Sequence, residues 1–61
     1  MTTAVYRLPT TEDAAEFAAE VVLLDEVDHV EFDNTDVVSI AFKKAPKTLP
    51  FLIRVYGAVS K

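Results

Sequence analysis

Between Val27 and Phe42 the chain repeats one period twice. Val30 and Phe32 stand two apart, and after the polar run Asp33-Asn34-Thr35-Asp36 the residues Val38, Ile40 and Phe42 do the same. A period of two is the mark of a strand with one face buried, and Asp, Asn and Thr at the joint have turn chemistry. The pattern predicts a hairpin with Val30, Phe32, Val38, Ile40 and Phe42 facing inward. His29, Glu31 and Asp33 then face outward on the first strand, and Val37, Ser39 and Ala41 on the second. A two-stranded hairpin is not stable alone in water. The rest of the chain must supply what covers it.

The preceding segment is built for that. Ala14, Phe17, Ala18, Val21 and Leu24 recur at helical spacing and form one apolar stripe. Thr10 or Thr11 can cap the helix start, with Asp13 three residues after Thr10 as a loose capping box. Glu12, Asp13 and Glu16 lie where the helix dipole favours negative charge. Asp25 and Glu26 mark the end of the helix or the loop after it. Upstream, residues 3 to 8 alternate imperfectly as a strand that Pro9 ends.

The run Leu49 to Val59 reads two ways. As a helix, Leu49, Leu52, Ile53 and Tyr56 share a face, Pro50 sits harmlessly in the first turn, and Gly57 is a natural stop. As a strand, Phe51, Ile53 and Val55 alternate with Leu52, Arg54 and Tyr56. The helix is preferred, with residues 58 to 60 adding a short edge strand. The order is then that of an α+β, ferredoxin-like split βαβ domain with a short or absent last strand. The alternative is β-α-β-β-β, with one helix on a sheet.

Bulk properties narrow the function. Sixty-one residues make one small domain, spanning 1–61, with little surface to bury and so marginal stability. There is no cysteine, which excludes disulfides, thiolate metal sites and thiol catalysis, and suits a cytoplasmic location. A net charge of −4 argues against direct binding to nucleic acid, where Lys and Arg displace counterions. No apolar run approaches the ~20 residues of a membrane span. Gly57 is the sole glycine, so no phosphate loop exists, and Ser39 and Ser60, the two serines, lack a nucleophile-elbow context. No enzymatic activity and no cofactor are expected.

Within this fold class, Leu23-Leu24-Asp25-Glu26-Val27-Asp28-His29-Val30-Glu31-Phe32-Asp33 resembles a segment of the heavy-metal-associated domain family. There a helix ends in Leu, a Gly-Val pair follows, and the next strand alternates Val with charged residues. Val38, Ile40 and Phe42 match the third strand of that family, and Ile53 to Gly57 the end of its second helix. Its metal-binding signature, Gly-Met-x-Cys-x-x-Cys, is missing. Thr10 and Asp13 stand roughly where the two cysteines would lie, and a hydroxyl with a carboxylate cannot replace thiolates toward Cu(I). The resemblance therefore implies the scaffold and not copper handling.

Four groups of residues are candidate sites. Thr10, Thr11 and Asp13 are first a helix cap, and second a loop for a hard cation. His29 shares a face with Glu31, yet two such residues without a third ligand make a poor metal site. A neighbouring carboxylate would favour its imidazolium form. Asp33, Asn34, Thr35 and Asp36 contain only a fragment of a twelve-residue calcium loop and read as a turn. Glu12, Glu16 and Glu20, spaced by four along one helix ridge with Asp13 beside them, are a solvated face or a docking face for a basic partner.

The sequence thus predicts a protein-binding or regulatory module that uses the acidic helix, an open sheet edge, or both. One alternative is a degenerate heavy-metal-associated domain holding an ion through Thr10, Asp13 or His29. Another is a small ligand sensor, which requires a homodimer.

Overall fold

The computed structural model describes residues 2–61. Its elements follow in the order β1 (Thr2–Arg7), α1 (Thr11–Val21), β2 (Val27–Phe32), β3 (Val37–Phe42), α2 (Leu49–Tyr56) and β4 (Val59–Ser60). The sheet order is β2-β3-β1-β4, with every neighbouring pair antiparallel. β1 and β2 therefore run parallel, split by β3. This is the ferredoxin-like split βαβ arrangement, and the alternative with a fourth long strand over residues 49–59 is not adopted. The last strand is present but only two residues long.

The hairpin supplies the floor of the core. Val38 lies opposite both Phe32 and Tyr6, and Ile40 opposite both Val30 and Ala4. Cross-strand partners share a face, so these six residues form one apolar surface. Val27 joins it opposite Phe42, although Val27 and Val30 are an odd number of residues apart. A bulge at Asp28 makes this possible: an extra residue on β2 restores the alternation and turns both valines inward. Asn34, in the connection between β2 and β3, has φ 59°, a left-handed conformation that asparagine tolerates better than most residues. The hydroxyl of Thr35 accepts the N–H of Val37 at 3.2 Å and fixes the start of β3.

α1 lays its stripe on this floor. Ala14, Phe17 and Val21 are fully buried, and the two small alanines at positions 14 and 18 let the helix sit close to the strands. Thr10 is the N-cap, its hydroxyl accepting the N–H of Asp13 at 3.0 Å. The helix ends at Val21, one turn short of Leu24, which packs on the core from the loop that follows. α2 packs on α1 through Leu49, Leu52, Ile53 and Tyr56. The Phe17 ring packs in edge geometry with Tyr56, centroids 5.7 Å apart, and with Tyr6 at 6.2 Å. Gly57 closes α2 at φ 70°, with its N–H donated to Ile53 O.

Candidate functional site

The helical layer carries two exposed ridges of opposite character. On α1, Glu12, Glu16 and Glu20 are exposed and Asp13 is half-buried. None of the four has a cationic side chain within ion-pair distance among the described residues. Glu20, Glu16 and Asp13 lie close enough to Tyr56 to raise its phenol pKa, secondary to the desolvation of the ring. These three acids therefore lie on the side of α1 nearer Tyr56.

On α2, Phe51 and Val55 stand one helical turn apart and are 67% and 60% exposed. These two were not picked out by the sequence reading. Leu49, Leu52, Ile53 and Tyr56 account for the buried stripe, and the signal for a second apolar ridge was that the segment stays hydrophobic on the remaining face. Val22 and Leu23, just after α1, are exposed as well. Scattered exposed hydrophobic residues are ordinary on a protein surface. A large aromatic and a valine aligned on one ridge of a two-turn helix are less so.

The residues weighed as metal ligands are not brought together. Thr10 and Asp13 sit at the start of α1, on the helical side of the sheet, and the Thr10 hydroxyl is engaged in the cap. His29 lies on the opposite face, because its neighbour Val30 points toward the core. There its Nδ1 is 2.9 Å from a carboxylate oxygen of Asp28, and its Nε2 is 3.7 Å from Glu31. The hydrogen bond to Asp28 raises the His29 pKa, desolvation opposes it in part, and the charges of Asp28 and Glu31 add to the rise. This is a surface imidazole between two carboxylates. Among the described residues no group of three or more His, Asp or Glu side chains is placed to hold a metal ion.

One carboxylate has a role that local sequence reasoning did not find. Glu26 is 7% exposed, and its Oε2 accepts the N–H groups of Lys47 and Thr48, each at 2.8 Å. Its backbone carbonyl accepts from Lys43 and Lys44 at 3.0 and 3.3 Å. Thr48, the N-cap of α2, makes no capping bond with its own hydroxyl. Glu26 thus caps α2 from another part of the chain and holds the loop 43–48 against the α1–β2 turn. The hydrogen bonds from Lys47 and Thr48 hold its carboxyl below the usual glutamate range. Asp25 adds an exposed ion pair to Lys44 at 2.9 Å.

The last strand is placed beside β1. β4 pairs only with Tyr6 and Arg7 of β1, extended by a bond from the Lys61 N–H to Val5 O at 2.9 Å. Beside the first half of β1 is a cavity of about 590 Å³ lined by Thr2, Ala4, Tyr6, Phe42 and the loop 43–46. No helix among the described residues is long and apolar enough to cross a membrane. No family model, curated relative or solved structure matches the chain.

Proposed function

We propose that this chain is a non-catalytic interaction module that recognises another protein, using the acidic helix and the open sheet edge. The observation that carries the reading is the ridge of Glu12, Glu16 and Glu20 with Asp13. It is spread over the exposed length of α1 and has no cation within ion-pair distance among the described residues. Like charges at this spacing cost a helix a few tenths of a kcal/mol per pair. A basic partner surface would remove that cost and be steered toward it. Phe51 and Val55, in the same helical layer, offer the apolar contact that electrostatic steering does not supply.

The fold favours binding over chemistry on this reading. The helices and β3 position apolar side chains, while the one histidine stands on the far face between two acids. The net charge of −4 makes a phosphate backbone a poor partner. A cysteine-free chain suits a reducing compartment, and we place the module in the cytoplasm.

The test is capture of partners from the lysate of the native cell by the wild-type chain and by Glu16→Lys and Glu20→Lys. Both positions are exposed, so the variants should unfold at or slightly above the wild-type midpoint while capturing less partner, with the deficit largest at low salt. Retention of the same partner, unaffected by salt, would remove α1 from the reading.

A further inference from the structure

The two helices meet along a groove whose walls differ in chemistry. α1 joins the parallel strands β1 and β2, while α2 joins β3 to β4, which run the opposite way. The helices therefore lie antiparallel on one face of the sheet. Phe17 of α1 meets Tyr56 of α2 with ring centroids 5.7 Å apart. At 3.6 residues per turn, the side chains of α1 pass from solvent, across the side that faces α2, to the sheet in the order Glu16, Glu20, Asp13, Phe17, Val21.

Two antiparallel helices on one face of a sheet are related by a half-turn about an axis normal to it. The same sense of rotation thus carries α2 from solvent, across the side that faces α1, to the sheet. Around α2 that order is Arg54, Phe51, Val55, Leu52, Tyr56. Leu52 and Tyr56 are half-buried and pack on the core, whereas Phe51 and Val55 stand exposed beside the acids of α1. Arg54 marks the outer edge and has no carboxylate within ion-pair distance among the described residues. Across the helical layer the surface therefore runs from acidic to apolar to basic.

This pattern specifies what covers it. The backbone groups of both helices are bonded within the helices, so an extended segment would leave its own N–H and C=O groups unpaired over Phe51 and Val55. A helix pairs its own backbone groups, and its side chains recur at the four-residue spacing of Glu16 and Glu20 and of Phe51 and Val55. A second copy of this chain would bring four more acids to the surface against a single arginine.

The geometry points to a helix-in-groove site: an amphipathic helix of a partner protein lies along α1 and α2. Its apolar stripe covers Phe51 and Val55, Lys or Arg along one edge meets Asp13, Glu16 and Glu20, and an acidic residue on the other edge meets Arg54. The apolar stripe supplies affinity, and the two unlike edges speed encounter and fix which way the helix runs. α1 is 11 residues long, so about three turns of partner helix span the site. The inference rests on the reading of the chain as an interaction module and names the kind of partner its helical face takes.

A phage-displayed library of helical peptides of about 18 residues, long enough to hold a helix on binding, tests it by selection on the full chain. Enriched peptides should carry an apolar stripe at helical spacing with Lys or Arg concentrated along one edge. They should gain helical circular dichroism on binding and shift the amides of Glu16, Glu20, Leu52 and Val55 in isotope-labelled protein. Phe51→Ala, at an exposed position, should leave the fold intact and weaken these peptides about tenfold, as truncation of an aromatic anchor does. Glu16→Lys should weaken them most at low salt.

No enrichment, enriched peptides without a basic edge, or undiminished binding to Phe51→Ala would overturn the proposal. Dimerisation of the free protein through Phe51 and Val55 would give the surface to a second copy and also overturn it. Capture from lysate separates this site from the broader reading. A partner that Glu16→Lys loses and Phe51→Ala keeps removes the groove and leaves the acidic module. Capture of no partner by the wild type, with selected helices still seated at Val55, removes the module and leaves the groove.

Discussion

Glu26 caps the helix that begins with Thr48 in its N-cap position, accepting that residue's N–H at 2.8 Å from the far end of β3 and the loop after it. Together with the bond from Lys47, this closes a path of roughly twenty residues that contains the whole hairpin. The N–H groups of the N-cap residue and of the residue before it are thereby satisfied by an ionised group, which is the stronger form of such a bond.

Replacing Glu26 should therefore loosen α2 and the loop 43–48 before it affects α1. Glu26→Gln keeps an acceptor and should be milder than Glu26→Ala, with both more damaging than the exposed Asp25→Ala. The pH dependence has a definite sign. The folded pKa of Glu26 lies below the ordinary value of 4.5. Its contribution to stability is complete above that value and is lost as pH falls through the folded pKa. Urea midpoints measured between neutral pH and pH 3 should fall for the wild type, and fall less steeply for Glu26→Gln.

Phe17 is the centre of the core, fully buried and in edge geometry with both Tyr6 and Tyr56. Phe17→Ala should cost about 3–5 kcal/mol from lost transfer energy and the cavity left behind. Against the roughly 3–9 kcal/mol available to a chain of this length at ~0.05–0.15 kcal/mol per residue, that removes from about a third to all of the stability, so the urea midpoint should drop sharply or the folded state be lost. Phe17→Leu, which keeps most of the volume and loses the ring contacts, should remain folded with a lowered urea midpoint.

Gly57 tests backbone conformation in isolation. A Cβ at this position would sit 3.7 Å from Pro9 Cγ, ordinary contact, so there is room for it. The cost of Gly57→Ala comes from φ 70° alone and should be about 1–2 kcal/mol. Gly57→Asn should lose less, because asparagine enters the left-handed region more readily. Thermal denaturation of the three proteins side by side would rank them.

His29 should titrate above its ordinary value of 6.5, with the hydrogen bond to Asp28 as the main cause. Nuclear magnetic resonance of the imidazole carbon protons should show the pKa falling in Asp28→Asn, and by less in Glu31→Gln. A raised folded pKa means that the interaction stabilises the fold fully below the unfolded pKa. That stability is lost as pH rises through the folded value. A His29 that titrates normally in the wild type would contradict the geometry seen around its ring.

The sequence by itself determined the parts that depend on neighbours within one or two turns. Period two set which residues of the hairpin face inward, because successive strand side chains must alternate. Thr10 and the spacing of Ala14, Phe17 and Val21 set the start and buried face of α1, because a hydroxyl and an apolar stripe act within one element. Gly57 set the end of α2 for the same local reason.

Tertiary structure alone decided the rest. Residues 49–56 are apolar enough to satisfy either period, and what selected the helix was an external partner: the buried face of α1 for Leu52, Ile53 and Tyr56, and the Glu26 carboxylate for the N–H groups at its start. Val27 and Val30 share the core face only because a bulge at Asp28 breaks the strand period between them. Each of these is a contact between segments distant in the chain, and local periodicity carries no information about which distant groups will meet.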